Sequence, residues 1–385
     1  MRADSITDRK SNKKFMLLSV IGIIMVVDLH CDFALNLLNF VIPYESFFIP
    51  LFIFISGYFN KVDDRTDLKG YLKRKAKKLL LPYLVISILM FWLEWAINSY
   101  KYGSLQPVTQ ETLLLPVVNV ITVGYPVLLM SPMWYVIAFF GVTLVYAVLK
   151  KLIGSKWNSI VALSVFCLLN ILVVWSAKTF KDSQVFFLLL LPMKTVFLLP
   201  FMELGGIYRE KIEPKTNDIR IGWKIIMLMA LIALNVARMK ILPDPGDIEF
   251  GGLYALLGFS GPYYVTPLIS SVIGILFWIT LVEVLGKVFY ENRVVNYISE
   301  NTYYIMGFHL LCFNLINCVL LFINNNIHKL PGFDIGSLRS MPYYIWDRYP
   351  LFKFIYLILG VAGSLLIKLV FDKIIRAVRK SRPQT

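Results

Sequence analysis

The chain has three histidines, and two of them, His30 and His309, lie inside strongly apolar segments. An imidazole titrates near neutral pH, so it can take the proton of a hydroxyl as that hydroxyl attacks an activated acyl group. The third, His328, falls in a polar stretch and is read as simply solvated. Asp28, Glu94, Lys194 and Glu203 also interrupt apolar runs. Ionisable groups at membrane depth are costly and tend to mark function. At a rise of about 1.5 Å per residue, His30 lies about 21 Å along its helix and Glu94 about 22 Å along its own. His309 and Lys194 fall near the middle of theirs. These depths group His30 with Glu94 and His309 with Lys194. Asp28 is a poor partner for His30, because residues two apart on a helix point about 200° away from each other. The alternative for His309 is an interhelical packing hydrogen bond.

The elements that must hold these residues are transmembrane helices. Of 385 residues, 58% are hydrophobic and only 16% charged, and the mean hydropathy is +0.68. A soluble domain carries about 25% charged residues. Crossing about 30 Å of hydrocarbon takes roughly 20 apolar residues, and the pattern predicts an all-α protein of about ten membrane helices. They are placed near 16–37, 44–59, 79–98, 133–149, 158–176, 184–208, 221–241, 263–285, 300–323 and 351–371. The first is read as a retained helix, since no small-residue cleavage site follows it. Of the 39 Lys and Arg, 29 fall on one set of alternating loops and helix ends and 10 elsewhere, so the positive-inside rule puts both termini in the cytoplasm. The reading is one membrane domain over 1–385, with cytoplasmic tails at 1–15 and 372–385. A basic cytoplasmic loop at 60–78 is expected to lie on the anionic leaflet. Outside, 100–131 and 238–262 form long neutral loops, and 117–130 suits a re-entrant or interfacial segment.

Lys73-Arg74-Lys75, with Lys77 and Lys78, precedes the third helix. Such runs anchor helices to lipid, and they can also clamp phosphates, for which Arg74 supplies a bidentate fork. Cys31 beside His30 is read as a small buried hydrophobe rather than an acyl carrier. No cysteine has metal-ligand spacing, no metal is expected, and the +15 charge is explained by topology rather than by a nucleic-acid partner.

Six blocks, in order, resemble the acyltransferase 3 family of membrane proteins that O-acylate surface glycans. Val26-Val27-Asp28-Leu29-His30 is similar to the family's first helix with its catalytic histidine. Pro50-Leu51-Phe52-Ile53-Phe54-Ile55-Ser56-Gly57-Tyr58 resembles the PLFFFISGY block, followed by the basic run up to Tyr83. Met133-Trp134-Tyr135, Phe201-Met202-Glu203-Leu204-Gly205-Gly206 and Tyr303 to His309 are similar to later elements. The sequence departs from the family at Ser19, where many members have an arginine, and at Phe48, where a histidine is common. The resemblance implies an acyl-CoA-dependent O-acyltransferase of the bacterial cytoplasmic membrane. Its donor would be acetyl-CoA and its acceptor a surface polysaccharide or lipid-linked sugar. It implies His30 as catalytic, with His309 in the matching late helix; depth adds Glu94 as the catalytic carboxylate, and Lys14, Arg74, Lys77, Lys78, Trp134 and Tyr135 are expected at the coenzyme A site. Membrane lipids are partners, and a homo-oligomer is left open. The alternatives are a glycan or lipid-linked-sugar transporter and an envelope scaffold. So few buried ionisable groups suit an active site better than an aqueous conduit.

Overall fold

The computed structural model describes residues 4–63, 65–180, 183–241, 264–290, 292–341 and 343–380. These are 81% helical, with no strand among them. In chain order the helices are α1 (Asp4–His30), α2 (Phe48–Tyr58), α3 (Leu68–Tyr102), α4 (Gln110–Thr122), α5 (Trp134–Ile153), α6 (Ser159–Phe180) and α7 (Gln184–Ile207). They continue with α8 (Glu213–Thr216), α9 (Ile221–Ile241), α10 (Thr266–Leu285), α11 (Arg293–Glu300), α12 (Thr302–Asn326), α13 (Ile335–Ser340) and α14 (Pro350–Lys380). Lipid offers no partners for backbone N–H and C=O groups, so apolar segments of this length satisfy them internally as helices.

Eight helices among the described residues are long and apolar enough to cross a membrane, rather than the ten expected. They match the third to tenth expected segments. The first two take a different form. α1 carries Lys14 and Asp28 at the two ends of its apolar run, and α2 has 11 residues, which rise only about 16 Å. α2 is held by α7 at backbone contact. A methyl on Gly57 would stand 2.8 Å from the Met202 carbonyl carbon, and one on Gly205 2.6 Å from the Tyr58 nitrogen. The paired glycines of two sequence blocks therefore form one tight crossing.

Three expected boundaries are corrected. The first helix was expected to reach residue 37 but stops at His30. Asp32, Phe33, Asn36 and Leu38 beyond it have positive φ, a region right-handed helices exclude. The stretch 60–78, expected as a loop, is helical from Leu68, so the basic run belongs to the membrane helix α3 itself. That helix also runs past 98 and ends at Gly103, which takes φ +68° and closes the last turn through Ser104 N–H to Ser99 C=O. In the 117–130 region, α4 is followed by a turn and a short 3₁₀ segment, Leu128–Met133. The expected 238–262 loop lies outside the described residues from 242 onward.

α1 and α12 run side by side in the same direction. The Ser19 and Ser299 hydroxyls meet at 3.1 Å, and Tyr303 O–H donates to Leu79 C=O at 2.9 Å. These contacts tie α1 to α11 and α12 to α3.

Candidate active site

His30 is the last residue of α1 and His309 lies in the third turn of α12. The two imidazoles meet across α1 and α12, with His309 Nε2 3.3 Å from His30 Nδ1. Their ring centroids are 5.0 Å apart. Each Nδ1 also meets a backbone carbonyl one turn back, His309 to Ile305 at 2.9 Å and His30 to Val26 at 2.7 Å.

Those carbonyls fix the tautomers, because a carbonyl can only accept. His309 must carry its proton on Nδ1, which leaves a lone pair on Nε2. His30 must likewise carry its proton on Nδ1, shared between Val26 C=O and His309 Nε2. The free lone pair of the dyad is then on His30 Nε2. His309 is fully buried, whereas His30 is half-buried and its Nε2 is not among the sealed, unpartnered polar atoms. The exposed Tyr343 ring approaches His30 edge-on at 6.2 Å.

Glu94 makes no hydrogen bond to His30 among the described residues. From the contact of Lys101 with Asn314, His309 lies five residues back along α12, about 8 Å, and Glu94 seven back along α3, about 10 Å, at a similar depth. Its carboxylate accepts from Leu129 N–H at 2.7 Å and Leu128 N–H at 3.4 Å. It thus caps the 3₁₀ turn that leads into Trp134, whose own N-cap has no side-chain bond. Tyr125, in the preceding turn, lies within electrostatic reach of Glu94 and Tyr343, and burial pushes its phenol up. The Asp28 carboxylate also turns away from the dyad. It accepts from Leu35 N–H at 2.8 Å and Asn36 N–H at 3.1 Å, folding the 31–38 segment. Cys31 is buried and its thiol donates to Asp28 C=O, as expected of a packing residue.

At the other end, a cleft of about 380 Å³ opens between the end of α2, the 59–66 turn and the start of α3, with Arg74, Lys75 and Lys61 among its lining residues. The turn is pinned by Asp63, whose pKa is held down by the Thr66 hydroxyl. Lys75 lies over the Phe139 ring at 5.9 Å. Phe139 stacks on Tyr135 at 5.6 Å, Tyr135 meets Phe52 at 5.8 Å, and Phe52 reaches Gly22 of α1. Tyr135 thus stands on an aromatic path from the cleft to the helix that carries His30. Lys77 and Lys78 are exposed and do not line the cleft.

Lys14 is committed elsewhere. It is buried against Glu213 at 2.5 Å and Glu283 at 3.1 Å, with Lys224 on the other Glu283 oxygen at 2.6 Å and Tyr58 on Glu213. Its cation closes a network joining α1, α8, α9 and α10. Trp134 is buried and faces the fully buried Lys194 ammonium, 4.8 Å from the ring centroid. Lys194 donates to Val123 C=O at 3.1 Å and so has no part at the dyad. Glu203 accepts from Tyr146 at 2.6 Å and Trp157 at 3.3 Å.

The acyltransferase domain model of the acyltransferase 3 family matches residues 17–369. The chain belongs to the acyltransferase 3 family. No curated protein and no solved structure matches it. Family membership makes the chain an acyltransferase, and with eight crossing-length helices it is a multi-pass membrane protein. The transport alternative loses ground accordingly.

Two groups near the dyad escaped the sequence reading. Lys101 is buried in the last turn of α3 and donates to Asn314 Oδ1 at 2.6 Å. Asn314 is five residues beyond His309 on α12. The signal was present, since Asn314 and Asn317 interrupt an apolar helix. Lys101 was hidden because helix 3 was expected to end at 98.

Proposed function

We propose that this acyltransferase moves an acyl group, acetyl in the simplest case, from coenzyme A to a hydroxyl of a surface polysaccharide or lipid-linked sugar at a bacterial cytoplasmic membrane. The observation that carries the reading is the His30–His309 contact, whose fixed tautomers leave an accessible lone pair on His30 Nε2. The acceptor hydroxyl oxygen attacks the thioester carbonyl while its proton passes to His30 Nε2. His30 then holds protons on both nitrogens, and its Nδ1–H points at Val26 C=O and the His309 Nε2 lone pair, which favours the cation. Collapse of the tetrahedral intermediate breaks the C–S bond, and the leaving thiolate recovers the proton from His30. His309 acts as a positioning residue.

The donor's phosphates fit the Arg74 cleft, where a guanidinium offers two parallel donors. The pantetheine arm would then run from the cleft past Phe139 and Tyr135 toward the helix that carries His30. Lys75 and Lys61 replace Lys14, Lys77 and Lys78 in this donor assignment. The test is mass spectrometry of envelope glycans from cells carrying the wild-type gene, a deletion or His30→Ala. Loss of the same O-acyl mass in the deletion and the variant supports the reading. Full O-acylation by a normally expressed His30→Ala protein overturns it.

A further inference from the structure

A second cavity, of about 550 Å³, opens at the end of the bundle opposite the Arg74 cleft, between the last turn of α3, the last turns of α12 and α13. Its volume lies within the range of about 300–1,000 Å³ common for small-molecule sites. Two cations line it, Lys101 and Arg339. Lys101 is only 4% exposed, and its ammonium spends one hydrogen bond on the neutral Asn314. Glu94 acts on it electrostatically, but Lys101 makes no ion pair among the described residues. Arg339 is exposed and anchored. Its Nε donates to Lys101 C=O at 3.0 Å and its guanidinium lies over the Tyr102 ring at 5.2 Å. That leaves its two terminal nitrogens without a protein partner among the described residues. The rest of the wall is rich in small polar groups, including Ser104, Asn325 and Asn326.

A buried ammonium with no direct ion pair is costly, and the guanidinium fork held 5.2 Å above Tyr102 matches a planar or tetrahedral oxyanion. Lys14 and Lys224 are closed by carboxylates of the chain and Lys194 by the Val123 carbonyl and the Trp134 ring, whereas Lys101 borders an open cavity beside the Arg339 fork. From this contrast we propose that the cavity is a subsite for an anionic saccharide. Its carboxylate or phosphate would sit on Arg339 and Lys101, with its hydroxyls on the asparagine and serine wall. Along α12, Asn325 and Asn314 share one face, while His309 stands five residues before Asn314 and about 140° around the helix. The proposal rests on the acyl-transfer reading only in making this saccharide the acceptor, since binding can be measured without transfer.

The test uses the full chain in phosphatidylcholine nanodiscs. It is titrated with a tetrasaccharide of alternating glucuronate and N-acetylglucosamine, and with uncharged chitotetraose. A charge-assisted pair predicts at least about tenfold tighter binding of the charged sugar, weakening as salt is raised. Arg339→Gln should remove that preference, leave chitotetraose binding unchanged and leave the melting temperature unchanged, while Arg339→Lys restores part of it. Equal affinities for the two sugars, or a preference that survives Arg339→Gln, would overturn the proposal. So would loss of the charged sugar's binding when phosphatidylglycerol replaces phosphatidylcholine, which would give the cavity to a lipid headgroup. If the charge preference is found but His30→Ala transfers normally, the proposed reaction fails and the subsite stands. If transfer needs His30 but charge is not preferred, the subsite alone fails.

Discussion

Gly205 and Gly206 are neighbours on one helix with the same intrinsic cost there, yet a methyl group meets opposite surroundings at the two positions. At Gly206 nothing lies within 4 Å, while at Gly205 the new carbon would be 2.6 Å from Tyr58 N and 3.0 Å from the Gly57 carbonyl carbon. Comfortable separation of such atoms is about 3.5 Å, so α2 and α7 would have to part by roughly 0.9 Å (3.5 − 2.6) against backbone that cannot rotate away. Overpacking of this kind costs about 1–3 kcal/mol, whereas the propensity gain of about 0.5–1 kcal/mol applies to both substitutions and cancels between them. Gly205→Ala is therefore expected to be less stable than Gly206→Ala by about 1–3 kcal/mol, measured by unfolding in detergent followed by tryptophan fluorescence. Transfer should fall as well, because α2 carries Phe52 against Gly22 of α1. Equal stability of the two variants would refute the backbone-contact account of the α2–α7 crossing.

Other consequences follow from the same geometry. Arg74→Ala should raise the KM for acyl-CoA well above what Lys77→Ala or Lys78→Ala does, with acceptor KM unchanged. Steady-state titration of each variant checks this, and equal small effects would return the run to lipid anchoring at roughly 1 kcal/mol per residue. Lys14→Met strips one partner from buried Glu213 and Glu283 and should destabilise the protein by about 3–5 kcal/mol. A Lys14→Met, Glu213→Gln double variant should recover part of that loss in the same unfolding assay. For topology, an impermeant thiol reagent on intact cells should label a cysteine placed at 110 and spare one placed at 66, and the reverse pattern would invert the orientation.

The helical fold was legible because hydropathy alone forces it, and the family blocks were legible as strings of residues. What joins them was not. Gly57 and Gly205 stand in separate blocks 148 positions apart, and their shared crossing has no local signature. Nothing local in the sequence showed that Glu94 would cap the turn at Leu128 and Leu129. The His30–His309 contact joins α1 to α12 across 279 positions, and depth estimates that grouped His309 with Lys194 did not reveal it. The loop after His30 was unreadable for a different reason. Leu35 to Ile42 has helical composition, and the turn is made by the Asp28 carboxylate reaching forward to two amides, with Tyr44 and Asn39 side chains bonding within the segment. Lys14 looked like a free cation near a helix end, and its two carboxylate partners come from α8 and α10, about 200 and 270 residues away.

The most direct test of the central claim is the initial rate of acyl transfer by purified protein for His30→Ala, His309→Ala and the double variant. If His30 Nε2 is the base and His309 holds its tautomer, His30→Ala should lower the rate by roughly 10²- to 10⁴-fold. His309→Ala should cause a smaller loss. The double variant should be no slower than His30→Ala alone, since residues acting as one unit are not additive. A His30→Ala enzyme at full rate, or losses that multiply in the double variant, would contradict the account.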